Sequence, residues 1–489
     1  MKKFALVISF LTCLLSLSSC NSLDDEVVVV PDPDEPSEPD EPNNPDTPVE
    51  EDLYEEMYDP TSNLQITLNF TNEAIYKLAK YSLNEEKKDM YHPCDVTISL
   101  NDEIYTFEEV GARMKGNSSK NENFVSEDGY FNAPVHFKLS FKETFDDVKD
   151  NDYYIRSWED DALREGRKDR SFADQQKLDM KYNKEEDQTF TRQIYAYNAF
   201  NEEGIMASKV TLAKVTINSE SDSMTNIYQI QETIDKDFLK KRLTKEEYKG
   251  NLYKATYTDQ GPASLNKNTI DKIGVEGPNY HPSYDLKTND KEDEIDHSLL
   301  RNVINTLNDD TSSASSFKDT LDSLIDVDSI LKYQALCWVI GNPDDSRNNS
   351  NNFYIYFNSK TNKMSFIPYD FDRCFGILKD WEIHMENIPL DYNKQYLGNG
   401  NEPYQPNPLL WRLFLSENDN NVDYSNKYPV IEEYQTRYIS LCKEYASKYL
   451  DNNKFINLSN QFVYSSQNCS NSVNLTFEEY ATSKLSTLN

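Results

Sequence analysis

Residues Asn342 to Gly376 read NPDDSRNNSNNFYIYFNSKTNKMSFIPYDFDRCFG. Two aspartates and a run of asparagines open the stretch, and Asp-Phe-Asp comes near its end. Between them, Phe353 to Phe357 and Met364 to Ile367 have the aromatic and apolar character of two short strands, joined by a polar turn over Asn358 to Lys363. A hairpin returns the chain to the edge it left. The Asp and Asn residues before it, and Asp370 and Asp372 after it, are therefore expected to converge however the rest folds. Several hard oxygen ligands in one place are what Mg²⁺ requires, together with retained waters and a substrate phosphate. A carboxylate not consumed by the metal can orient or deprotonate a hydroxyl.

Upstream of this stretch, Asp326 or Asp328 caps a predicted helix whose Leu331, Ala335, Trp338 and Val339 fall on one stripe leading to Gly341. Further back, strand signals dominate. Leu64 to Phe70 alternates, Thr71 offers an N-cap to a helix over Ala74 to Tyr81, and Cys94 to Leu100 and Ile104 to Met114 flank a turn at Asn101-Asp102. The loop RMKGNSSK (Arg113 to Lys120) supplies Gly and Ser at a bend, and Val135 to Phe141 alternates again. Asp187 to Phe200 reads as a helix, and Leu212 to Asn218 pairs with Ile227 to Glu232. Much of the charged region Lys236 to Ser316, broken by NLYKATY (Asn251 to Tyr257), reads as surface insertion. Downstream, NPLLWRLF and Tyr428 to Leu450 read as helices. Strands early, helices late and no regular βαβ alternation give an α+β class.

The chain opens with MKK and an apolar run, Phe4 to Leu17, too short to span a bilayer: a signal peptide over residues 1–20. Leu17-Ser18-Ser19-Cys20 resembles a bacterial lipobox, so Cys20 is expected to carry a lipid and hold the protein on the outer face of a cell membrane. Residues 21–52, NSLDDEVVVVPDPDEPSEPDEPNNPDTPVEED, have no Lys or Arg and little to bury, and read as a disordered acidic, Pro-rich linker. That leaves 53–489 as one large domain. A formal charge of −35 excludes a nucleic-acid surface and disfavours anionic headgroups. Cys94, Cys337, Cys374, Cys442 and Cys469 show no paired spacing, and the five histidines show no ligand spacing.

Protein kinases use the order seen in the opening stretch: a catalytic Asp, an Asn metal ligand a few residues on, a hairpin, then a second metal-binding Asp. Here the order is Asp344, Asn349 to Asn352, hairpin, Asp370-Phe371-Asp372, without the His-Arg-Asp triplet or the glycine of Asp-Phe-Gly. The chain resembles the CotH kinases, the spore coat protein H-like family. The resemblance is carried by VGARMKGNSS, the Lys138 strand, TRQIYAYNAF, YQIQETIDKDFL, NLYKA, FIPYDFDRCFG and NPLLWRLF, in that order. It implies an atypical, two-lobed kinase-like fold, β-rich first and α-rich last, that binds ATP with Mg²⁺ or Mn²⁺ and phosphorylates serine or threonine in secreted or surface proteins.

Carried over by position, Asp344 corresponds to the catalytic aspartate with Asp345 as competitor. Asn352 corresponds to the metal-binding asparagine with Asn349 as its alternative, and Asp370 and Asp372 to the metal-binding pair. Chain order assigns Lys138 to the phosphates, with Arg113 or Lys115 as substitutes, and puts Glu232 at the end of the strand leading into an adenine hinge. The rival readings are a calcium-stabilised adhesin or glycan-binding lipoprotein, and a pseudokinase that binds nucleotide without transfer.

Overall fold

Alternation of core-facing and outward residues along seven strands builds a closed barrel. In chain order they are β1 (Leu64–Asn69), β2 (His92–Leu100), β3 (Glu103–Met114), β4 (Phe137–Ser140), β5 (Lys177–Tyr182), β6 (Val210–Asn218) and β7 (Ser223–Glu232). The barrel runs β1-β2-β3-β4-β5-β7-β6, and a parallel β1–β6 pairing, Leu64 opposite Ala213, closes it. This computed structural model describes residues 50–489 apart from 117–118, 147–154, 156–157, 278, 292–293, 379–383, 389, 391–406, 414–430, 466–472 and 489. The signal peptide, Cys20, all but the last residues of the linker, and Cys469 lie outside the described residues.

The barrel interior is filled by Leu64, Ile66, Leu68, Val96, Ile98, Val110, Ala112, Phe137, Leu139, Leu178, Met180 and their neighbours. Because side chains alternate along a strand, each core residue turns its neighbour outward. Arg113, Lys138 and Asp179 thus occupy outward positions directly across from one another, Arg113 opposite Lys138 and Lys138 opposite Asp179. Short tight turns set the register: Asn101 and Asp102, the two residues between β2 and β3, both adopt left-handed φ, 47° and 75°.

A second sheet is made of β8 (Leu252–Ala255), β9 (Ile273–Gly274), β10 (Tyr284–Leu286), β11 (Phe353–Phe357) and β12 (Met364–Pro368), in the order β12-β11-β8-β10-β9. The expected hairpin is its β11–β12 edge, Phe353 opposite Pro368. The expectation that much of Lys236 to Ser316 is surface insertion is overturned. β8 lies between β11 and β10, and Leu252, Tyr253, Tyr284, Leu300, Ile304 and Leu307 are buried. Its strands are at most four residues long, too short to show a period of two, which is why the charged connections dominate the reading.

The Val327–Ile340 helix packs beneath this sheet, capped by Asp326, whose side chain accepts from Ser329 N. It buries not one stripe but its whole circumference over the last ten or so residues, Tyr333, Gln334 and Cys337 included. Gly341 stops it in a left-handed conformation, φ 63°, with its N–H donating to Cys337 O at 2.9 Å. A Cβ there would meet Tyr480 Oη at 2.1 Å, so no other residue fits without displacing that tyrosine. The Arg192–Glu202 helix starts later than the sequence pattern places it. Asp187 precedes it and accepts from Arg192 N at 3.1 Å while pairing with the guanidinium Nε at 3.1 Å. Late helices Pro408–Leu413, Glu432–Tyr449 and Phe477–Ser486 complete a mixed α+β protein. Cys94, Cys337, Cys374 and Cys442 are free and buried.

Candidate functional site

The outward row of the barrel wall and the end of the β11–β12 hairpin face one cleft of about 450 Å³. From the barrel come Arg113, Lys115, Lys138, Lys177 and Asp179; from the hairpin end come Asp344, Asn351, Asn352, Tyr369 and Asp370. In a chain with 50 Lys and Arg against 85 Asp and Glu, the cleft lining reverses the balance with eight of the former and six of the latter. A cationic recess in an acidic protein concentrates anions there.

On the barrel wall, buried Asp179 is held between two lysines, Lys115 Nζ at 2.7 Å and Lys138 Nζ at 3.3 Å. Burial opposes its ionisation, but Lys115 and then Lys138 overcome this and keep it a carboxylate. Burial in turn lowers the Lys138 pKa. Arg113 pairs with Asp89 at 2.8 Å. All three cations expected at the phosphates line the cleft, each beside a carboxylate.

On the opposite wall, Asp344 is half-buried and its carboxylate receives three amide donors. Asn349 Nδ2 (2.8 Å) and Asn351 Nδ2 (2.9 Å) donate to Oδ1, and Asn352 Nδ2 (2.8 Å) donates to Oδ2. Here is a physical use for the asparagine run: it clamps one carboxylate in a single orientation. Burial, and more weakly the charge of Asp370, push the Asp344 pKa up against the pull of Asn349 and Asn351. Asn352 and Asp370, at the two ends of the hairpin, both adopt left-handed φ, 54° and 58°, which Asn and Asp tolerate better than other non-glycine residues.

Asp345, the competitor of Asp344, points the other way. It is fully buried, its Oδ1 accepts from Arg347 N, Asn348 N and Asn348 Nδ2 at 2.9 Å each, and burial pushes its pKa up to about 7. It knits the loop together rather than lining the cleft. Three further expectations are corrected. Asn349 does not line the cleft, its amide being spent on Asp344. Glu232 is buried in a bidentate pair with Arg242 (2.6 and 3.0 Å), and Thr233, Ile234 and Asp235 line the cleft in its place. Asp372 borders a separate chamber of about 20 Å³ with His136, Lys181 and Glu185; burial, then the charge of Asp370, raises its pKa to about 8. Asp370 and Asp372 thus line different cavities, with the left-handed backbone at Asp370 turning the chain between them, although the charge of Asp370 still acts on Asp372.

Asp370 is anchored by an ion pair between its Oδ1 and Lys181 Nζ. Burial disfavours its charge, but Lys181 and then Lys115 hold its pKa well below the usual carboxylate range. Lys181, Asp179, Lys254 and Tyr369 carry no motif of their own that marks them in the sequence. The alternation Lys177-Leu178-Asp179-Met180-Lys181 marks an outward-facing charged row, and Lys254 lies inside NLYKA.

These residues fit a divalent cation carried by a phosphate. Asp370 Oδ2 and Asn352 Oδ1 accept no protein hydrogen bond among the described residues, and both lie in the cleft. Among the described residues no group of three or more His, Cys, Asp or Glu side chains is arranged to hold a metal ion.

A recess walled by lysines on one side and by Asp and Asn on the other offers both cations and oxygen ligands to a polyanion. The chain belongs to the CotH kinase family: the family described as CotH kinase protein matches residues 149–463, well over half its length. Membership implies kinase-like function and the use of ATP with a divalent metal in general. Arg113, Lys115 and Lys138 precede the matched residues, yet the barrel brings them to the same cleft. No curated protein matches the chain.

Proposed function

We propose that the protein is an ATP-dependent protein kinase that phosphorylates Ser or Thr hydroxyls of secreted or surface proteins, held outside the cytoplasm by a lipid on Cys20. The observation that carries this reading is the convergence of Asp344, Asn352 and Asp370 at one end of a hairpin, facing a lysine-lined wall. The barrel and the helical half would act as the two lobes of a kinase, with the nucleotide between them. Ile234, Tyr354 and the backbone of Thr233 to Asp235 offer an apolar strip and hinge for the base, and the phosphates would lie among the lysines of the cleft.

Asp344 orients the acceptor hydroxyl and receives its proton as the oxygen attacks the γ-phosphorus in line. Its raised pKa brings it closer to working pH, and the three amides hold its carboxylate in one pose. Asp370 Oδ2 and Asn352 Oδ1 would hold Mg²⁺ or Mn²⁺, which, when bound, neutralises charge on the β- and γ-phosphates. Lys181 keeps Asp370 ionised for that role. Asp345 and Asn349 act by positioning Asp344.

The test is incubation of the purified protein with labelled ATP and Mg²⁺ or Mn²⁺, with the modified residue mapped by mass spectrometry. Phosphoserine or phosphothreonine that disappears in Asp344→Ala supports the reading. A thermal shift with Ca²⁺ and none with nucleotide would overturn it in favour of a calcium-stabilised surface module.

A further inference from the structure

Three ammonium groups from three separate segments gather on one aromatic ring in the cleft. Lys115, just past β3, lies 5.1 Å from the Tyr369 ring centroid; Lys181, on β5, lies at 5.6 Å; Lys254, on β8, lies at 5.0 Å. Two of these lysines have carboxylate partners, Lys115 with Asp179 and Lys181 with Asp370. Lys254 has none within ion-pair distance among the described residues. It is instead enclosed by the ring and by the cationic lining, in register with Tyr354 on the neighbouring strand. Tyr354 meets Tyr369 edge to face, centroids 5.3 Å apart, so the ring that gathers the lysines is itself braced.

An ammonium group in a half-enclosed site without a counter-ion is costly to desolvate. Burial, followed by the charges of Lys287 and Lys115, lowers the Lys254 pKa to about 8. An anion in the cleft would remove that cost, whereas at Lys138 the buried carboxylate of Asp179 already does so. Lys254 also sits one register step from the Phe353–Ala255 pairing, next to the hairpin end that carries Asn352.

We propose that Lys254 is the lysine that grips the phosphate chain of the bound polyanion, and that Tyr369 is a positioning residue that holds Lys254 and Lys115 at the point where barrel and second sheet meet. This displaces Lys138 from that role. The identity of the anion as ATP rests on the kinase reading; the grip itself does not.

The experiment is calorimetric titration of the purified chain with inorganic tripolyphosphate, ATP and adenosine in EDTA, so that no metal contributes. Lys254→Met should weaken tripolyphosphate and ATP by at least tenfold, about the value of a charge-assisted hydrogen bond, and leave adenosine unchanged. Lys254→Arg should recover most of the loss. Tyr369→Leu should weaken tripolyphosphate severalfold, with Tyr369→Phe restoring it because the ring face is kept. Removing an uncompensated charge should also raise the melting temperature of anion-free Lys254→Met, which a merely structural lysine would not do. Tripolyphosphate binding to Lys254→Met equal to the unsubstituted chain overturns the proposal, as does a larger loss in Lys138→Met. Tripolyphosphate binding that depends on Lys254, in a chain that transfers no phosphoryl group, supports the grip and overturns the kinase reading alone.

Discussion

The two walls of the cleft solve opposite electrostatic problems. The barrel wall is regular: strand alternation aims Arg113, Lys138 and Asp179 outward in adjacent register, and the cations are stabilised in pairs around one buried carboxylate. The hairpin wall is irregular: left-handed Asn352 and Asp370 and a loop of asparagines hold carboxylates in place with amides and one lysine. The difference teaches that positive charge here is arrayed by secondary structure. Negative charge is instead aimed by side-chain hydrogen bonds, one residue at a time.

Breaking the hairpin wall should have the largest consequence. Asp344→Ala is expected to lower kcat by about 10³-fold or more, with ATP affinity within about threefold of the parent. Asp370→Ala should lose transfer as completely and should also lose the metal-dependent part of nucleotide affinity. Transfer assays paired with titration calorimetry separate the two, and activity equal to the parent's in either variant would remove the role assignment.

Breaking the barrel wall should cost fold rather than chemistry. Asp179→Asn leaves Lys115 and Lys138 facing each other in a buried site and should destabilise the protein by about 3 kcal/mol, read from the urea midpoint. Added tripolyphosphate should return part of that loss, because it replaces the missing negative charge.

Asp345 sharpens the contrast within the hairpin wall. Its folded pKa, pushed up to about 7 by burial, lies above the unfolded value of about 3.9. The folded protein therefore binds the extra proton, and the stability this confers is present below about pH 4 and lost as pH rises through 7. Asp345→Asn keeps the acceptor for Arg347 N and Asn348 N. It should flatten that part of the pH–stability curve, shown by subtracting the two curves measured by denaturant titration, while leaving transfer nearly intact. The smallest effect is expected of Asn349→Ala, which removes one of the three amide donors to Asp344 and should reduce kcat by about three- to tenfold, with the KM for ATP unchanged.

How much of this was legible in the sequence differs between the walls. The hairpin was readable because Phe353 to Phe357 and Met364 to Ile367 are aromatic and β-branched on both sides of a polar turn, and a local turn needs no knowledge of distant contacts. For the same reason Asp344, Asn352 and Asp370 could be expected together. The choice between Asp344 and Asp345 could not be read, since neighbouring identical side chains differ only in which way the loop turns them. Lys254 was hidden by strands too short to show a period, and Lys181 by a row whose facing depends on barrel closure.

The sequence by itself determined the α+β class, the β11–β12 edge, the helix stop at Gly341 and the order of acid and amide residues, because these follow from local propensity and short-range turns. Only the tertiary structure decided which carboxylate enters the cleft, that Asp370 and Asp372 line different cavities, and that lysines just past β3 and on β5 and β8 meet on Tyr369. Those outcomes rest on pairings between residues far apart in the chain, such as Leu64 with Ala213 and Tyr354 with Lys254. Such pairings are set by the packing of whole sheets and not by any one stretch of residues.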